Sequence, residues 1–156
     1  FIGGEEEKSE QEPLKIWGRL SEGRIVPARE PVFTAQCIRV PASDGHMAAV
    51  FLGLEKKTSP EEIIGRWRNY VGRPQQLDLP SAPKPFLTYF DEPARPQTRL
   101  DRDLGNGMGI SIGRLRTDAV FDYRFVGLSH NTVRGAAGGA ILTAELLAAD
   151  GYIEKK

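Results

Sequence analysis

The chain has 156 residues, 40% hydrophobic and 27% charged, with 21 Lys+Arg against 21 Asp+Glu. That length suits one domain whose folding buries about two-thirds of the unfolded surface. A formal net charge of 0 supplies no electrostatic case for nucleic acid or an anionic membrane surface. The single Cys excludes an internal disulfide and any multi-cysteine metal site, and suits a reducing compartment.

The first residue is Phe rather than Met, and the expectation is a piece of a longer protein. No signal-peptide pattern is visible, and no apolar stretch approaches the ~20 residues of a membrane span. The acidic run from Glu5 to Glu12, followed by Leu14, Ile16 and Trp17, predicts a helix with a polar front and an apolar rear. Pro13 interrupts it and withholds a donor, and Gly18 is a plausible stop. Val32 to Val40 is rich in β-formers and ends at Pro41, so it predicts a strand. Phe33, Ala35, Cys37 and Arg39 would share one face. A loop over Pro41–Gly45 then delivers His46, and Met47 to Glu55 predicts an antiparallel return strand.

Ser59-Pro60-Glu61-Glu62 is the clearest local signal, with a capping Ser, Pro at the first helical position and Glu62 completing a capping box. Ile63, Ile64, Trp67, Tyr70 and Val71 would form its apolar face. Four prolines between 72 and 85 mark a meandering connection. Phe86–Phe90 predicts a short strand, and 91–107 a second irregular stretch. Ile110–Arg116 and Tyr123–Leu128 predict paired strands. Gly135 opens a last helix through Ala149, with Ala137, Ala140, Ile141, Ala144 and Ala148 as a narrow small-residue face. The sum is a single α+β domain over 1–156, with a mixed, largely antiparallel sheet and helices on one face.

Few residues invite chemistry. Cys37 lies mid-strand in an apolar run, where a thiol is ordinarily buried and inert. His46 follows a flexible Gly at the end of a loop, and an imidazole suits proton transfer near neutral pH. Arg39, seven residues earlier, can fork onto a carboxylate or form a plain surface ion pair. Glu5 and Lys8 stand three apart on one helical face, either as a solvated pair or as a working one. Asp101 to Gly107 half-matches a calcium loop but has Ile112 where the bidentate Glu belongs, so no metal is expected. Ser129 to Gly139 pairs a polar corner with a small-residue helix start, which suits a polar ligand or tight helix packing.

Four segments occur together, in order: GEEEK at Gly4–Lys8, IRVPASDGH at Ile38–His46, PQTRLDRDLGNGM at Pro96–Met108, and HNTVRGAAGGAILTAELL at His130–Leu147. Together they resemble the C-terminal catalytic and dimerisation domain of aspartate-semialdehyde dehydrogenases of the archaeal and fungal type. The resemblance implies a fold like the C-terminal domain of glyceraldehyde-3-phosphate dehydrogenase. It implies NADP-dependent conversion of L-aspartyl 4-phosphate to L-aspartate 4-semialdehyde, serving lysine, threonine and methionine biosynthesis in the cytoplasm. In that family a cysteine thiolate attacks the acyl phosphate, phosphate leaves, and hydride from NADPH reduces the thioester.

Residue by residue, the resemblance makes His46 the general acid/base and Arg39 the grip on the substrate carboxylate. Lys8, with Glu5 on its turn, becomes the phosphate-binding element, and Asn131 a contact to the nicotinamide end of the cofactor. The family's Asn-Cys nucleophile motif is not in this chain, and Cys37 does not replace it. The N-terminal NADP-binding domain is likewise expected to lie outside these 156 residues, which predicts that the chain alone is inactive. Expected partners are a small-molecule substrate and further copies of the chain, as homodimer or homotetramer. Two alternatives share the pattern: the equivalent domain of malonyl-CoA reductase, and a module that only dimerises.

Overall fold

The structure, a computed structural model, describes residues 3–153. Its chain divides into two compact units, one ending at Pro41 and one starting at Ala42.

The first unit opens with α1 (Glu5–Ile16). Glu5, Glu6 and Glu7 fill its first turn and Lys15 its last, a charge order that complements the helix dipole. The helix runs through Pro13, which withholds the N–H that the Ser9 carbonyl would otherwise take. A hairpin follows, β1 (Arg19–Ser21) against β2 (Arg24–Val26), antiparallel. The sequence reading missed it. Its turn places Glu22 at φ 51° and Gly23 at φ 74°, a pair of left-handed residues of the kind that closes two-residue hairpins. Glu is not the usual occupant of the first position.

Val32–Val40 is not a strand, which corrects the expectation from its β-rich composition: it enters no ladder. The alternation itself survives. Phe33, Ala35 and Cys37 are half-buried while Val32, Thr34, Gln36 and Ile38 are exposed. Phe33 stacks on Trp17 at 5.7 Å. Glutamates of α1 replace a neighbouring strand: Ala35 N–H donates to Glu10 Oε1 at 2.8 Å and Cys37 N–H to Glu6 Oε1 at 2.9 Å. The spacings agree, since four helical residues rise about 6 Å and two extended residues advance about 6.6 Å.

The second unit is built on a four-stranded sheet of order β3-β6-β5-β4. Its strands are β3 (His46–Leu52), β4 (Leu87–Phe90), β5 (Ile110–Thr117) and β6 (Tyr123–Ser129). β3 and β5 flank β6 antiparallel, and β4 joins β5 parallel. The sheet is thus mixed and largely antiparallel, as expected. Three consecutive residues of β5, Ser111, Ile112 and Gly113, are buried, so both faces of the sheet are covered at its centre.

One face carries α2 (Pro60–Arg68). Trp67 meets Tyr89 at 5.8 Å and Phe125 at 5.0 Å, and Ile63 is 7% exposed. Ser59 caps the helix by accepting the Glu62 N–H at 3.2 Å. The other half of the expected capping box is absent. The Glu62 carboxylate turns forward to Arg66 Nη2 at 2.8 Å. Tyr70 and Val71 lie beyond the helix end and are 49% and 56% exposed, so the apolar face is shorter than predicted.

The opposite face is covered by the 91–109 segment, which includes α4 (Thr98–Asp101). α3 (Arg73–Gln76) lies in the preceding proline-rich connection. Arg95 sits over the Phe90 ring at 4.4 Å. Its Nε donates to both carboxylate oxygens of Asp101 at 2.9 and 2.7 Å and its Nη2 donates to Oδ1, and Gln97 N–H adds a fourth bond at 2.6 Å. The Asp101 side chain is 1% exposed. Burial alone pushes this carboxyl up; the Arg95 and Gln97 hydrogen bonds and the Arg95 charge outweigh it, and the net direction is down.

The last helix begins one turn earlier in π geometry (Val133–Ala137) and continues as α5 (Gly138–Ala149). It buries Leu142, 6% exposed. The predicted small-residue face is not the buried one: Ala140, Ile141, Ala144 and Ala148 are exposed. Hydrophobic periodicity located the helix but not the side that packs. Among the described residues no helix is long and apolar enough to cross a membrane.

Candidate functional site

Five residues were singled out, and they divide between the two units. In the first unit Lys8 and Glu5 lie on the opening turns of α1, with Lys8 Nζ 3.4 Å from Glu5 Oε1. Both are substantially exposed, so this contact adds only ~0.3–0.5 kcal/mol to the helix; its effect is to orient an ammonium. Arg39 is exposed near the end of the extended segment. Cys37, two residues before it, is a half-buried free thiol whose N–H is held by Glu6.

In the second unit His46 is the first residue of β3, and its register partner on β6 is Ser129. Asn131 follows β6 by two residues, and its Oδ1 accepts the Gly45 N–H at 2.9 Å. Two sequence motifs separated by 86 positions therefore meet immediately before the histidine. The bond also settles which way the amide points. Gly45 N–H can only donate, so the Asn131 oxygen faces it and the NH₂ group points elsewhere.

Around this junction are residues that the sequence reading did not single out. Arg102 Nη1 donates to Ser43 Oγ at 2.6 Å. Arg102 Nε lies 3.5 Å from Asp103 Oδ2. His130 is 7% exposed; its Nδ1 accepts Val133 N–H at 3.3 Å and its Nε2 faces Asp103 Oδ1 at 3.6 Å. Nδ1 is thus the accepting nitrogen and Nε2 the one that faces the carboxylate. The available signal was compositional: His130 is one of only two histidines in the chain. Its neighbour Asn131 drew attention instead. Among the described residues no group of three or more His, Cys, Asp or Glu is placed to hold a metal.

Arg134 is a half-buried cation over the Phe86 ring at 4.7 Å, and burial pushes its guanidinium below the ordinary arginine range. It borders a shallow cleft of about 370 Å³ lined also by Pro74, Gly139 and Leu146. This is the Ser129–Gly139 corner that the sequence marked for a polar ligand or for packing.

The family profile described as semialdehyde dehydrogenase, dimerisation domain, matches residues 1–134. The aspartate-semialdehyde dehydrogenase of Methanothermobacter thermautotrophicus is 48% identical over 149 residues, covering 94% of this chain and 43% of that protein. The Aspergillus fumigatus enzyme of the same name is 46% identical over 160 residues, covering 98% and 44%. Among solved structures, the chain is similar to aspartate semialdehyde dehydrogenase with NADP from Candida albicans, with TM-score 0.88 and 42% identity over 98% of this chain and 44% of that one. This chain thus spans less than half the length of these relatives. The fold expected from the four motifs, that of a C-terminal domain like glyceraldehyde-3-phosphate dehydrogenase's, agrees with this similarity. The chain belongs to the semialdehyde dehydrogenase family, through that family's dimerisation domain.

Proposed function

We propose that this chain is the C-terminal catalytic and dimerisation part of a cytoplasmic, NADP-dependent aspartate-semialdehyde dehydrogenase, acting on L-aspartyl 4-phosphate in the route to lysine, threonine and methionine. The observation that carries the reading is the Gly45–Asn131 hydrogen bond of 2.9 Å. It joins the IRVPASDGH and HNTVRG motifs at the residue before the proposed acid/base. The relatives' names support a semialdehyde dehydrogenase reaction, and the Candida albicans neighbour with NADP supports that cofactor.

In this reading Arg39 presents a planar fork to the substrate's carboxylate, and Lys8, steered by Glu5, offers a compact charge to the phosphate. His46, exposed at the head of β3, moves the proton. The nucleophilic cysteine and most of the NADP contacts come from chain beyond these residues. NADP supplies the hydride when bound. The described residues fit one end of it: the Asn131 NH₂ remains free to meet a nicotinamide amide while the oxygen is committed to Gly45. Among the described residues no G-x-G-x-x-G turn joins a strand to a helix to cradle its pyrophosphate.

The test is His46→Ala and Arg39→Ala in the complete enzyme. His46→Ala should lower kcat by ~10²–10⁴-fold. Arg39→Ala should mainly raise the KM for aspartyl phosphate. Near-normal activity in either removes that assignment, and turnover of malonyl-CoA in place of aspartyl phosphate would replace the substrate. NADP-dependent turnover by the 156-residue chain alone would refute its proposed inactivity.

Self-association, as homodimer or homotetramer, belongs to the same proposal. Val32, Ile38 and Val40 are 89%, 73% and 61% exposed, and Met47 and Phe51 are 50% and 54% exposed. A monomer by light scattering at micromolar concentration would refute it.

A further inference from the structure

We infer that Asn131 and Arg102 are positioning residues for His46, holding the loop that delivers it at two points. The inference rests on the acid/base role proposed for His46 and extends it.

Among the described residues the His46 imidazole makes no hydrogen bond to another side chain. With no such bond on the ring, the backbone that carries it has a large part in placing it. That backbone has one position that calls for glycine. Gly45 has φ +99°, a region that disfavours any side chain. A Cβ there would also come within 3.2 Å of Leu128 Cδ1 and 3.5 Å of Arg102 Cβ and Thr98 Cγ2. Leu128 is 2% exposed and part of the core, so the loop is seated on the core.

Two side chains hold it there. Asn131 Oδ1 takes the Gly45 N–H, and Arg102 donates to Ser43 Oγ. The holders are themselves tied together, because Asp103 faces both Arg102 Nε and the Nε2 of His130, the residue before Asn131. Three segments distant in sequence therefore converge on the loop that precedes His46. A displacement of about 1 Å at a reacting group can slow a reaction on the order of 10²-fold, so loosening this loop should slow turnover without abolishing binding.

The experiment uses the complete enzyme. Asn131→Ala and Arg102→Met should each lower kcat by about tenfold or more, with the KM for aspartyl phosphate little changed. Asn131→Asp keeps an oxygen for Gly45 N–H and should restore most of the lost kcat at saturating NADP, although it lacks the NH₂ group and so raises the KM for NADP. Ser43→Ala removes only the hydroxyl that Arg102 holds, leaves the fold's core untouched, and should lower kcat several-fold.

If Asn131 acts only by touching the cofactor, Asn131→Asp fails to rescue kcat at saturating NADP, and Arg102→Met and Ser43→Ala leave kcat unchanged. That pattern overturns the inference. His46→Ala serves as the parallel control. If it leaves kcat near normal, the acid/base reading has failed. If it collapses kcat while Ser43→Ala and Arg102→Met do not lower it, only the positioning role has failed.

Discussion

Arg95→Met is the sharpest test of what holds the 91–109 segment against the sheet. Methionine keeps an unbranched chain able to lie over Phe90 but removes the cation that faces Asp101. The carboxylate then stays buried, 1% exposed, with Gln97 N–H as its remaining donor from the present set. Removing one partner of a buried ion pair destabilises by ~3–5 kcal/mol, a large part of the ~5–15 kcal/mol that holds a domain folded. With a urea m-value near ~2 kcal/mol/M, the unfolding midpoint at pH 7 should fall by about 2 M.

The pH dependence has a definite sign. In the parent chain the folded carboxyl titrates below its unfolded value, so its stabilisation is present above about pH 3.9 and is lost as pH falls through the folded value. In Arg95→Met burial dominates and lifts the folded value above the unfolded one. The penalty is then full above that raised value and fades as the group protonates. The gap between variant and parent should therefore narrow between pH 7 and pH 4. Adding Asp101→Asn removes the buried charge and should recover a substantial part of the loss at pH 7. The measurement is urea unfolding by far-UV circular dichroism at both pH values. A pH 7 difference below about 1 kcal/mol, well under the expected range, or a double variant no better than the single, would refute the reasoning.

Gly113 and Gly127 should respond oppositely to alanine. A Cβ at Gly113 would stand 2.5 Å from the Arg95 carbonyl oxygen, whereas one at Gly127 meets nothing within 4 Å. Gly113→Ala should lower the melting temperature markedly and Gly127→Ala should hold or raise it, both read by thermal unfolding. Equal effects would show that the 95–96 backbone is not seated on β5 as described. Ser59→Ala should cost about 1 kcal/mol through loss of the cap on α2, and Ser59→Asp should retain the stability of the parent.

Much of the sheet was legible because its signals are local. β5 and β6 announce themselves by composition and by the turn between them. Ser59-Pro60 marks the start of α2 because a cap and a fixed φ act within one turn. His46, Arg39, Lys8, Glu5 and Asn131 were picked out by motif, while Arg102, Asp103 and His130 were not. Their importance lies in what they touch across the chain, and no spacing within a single segment encodes that.

The 32–40 segment shows the boundary most clearly. Its alternation, with Phe33, Ala35 and Cys37 inward, was written in residue order because successive side chains of an extended chain point to opposite sides. Whether its backbone joins a ladder depends on which hydrogen-bond partners lie beside it, and here those are Glu6 and Glu10 of α1. The last helix repeats the lesson. Its length and apolar content are properties of its own residues, but the choice of Leu142 over the alanine face belongs to its neighbours. Local propensities and motifs are short-range and survive in a bare string of residues; burial, partner choice and the seating of the His46 loop are set by packing between distant segments, which only the folded chain brings into contact.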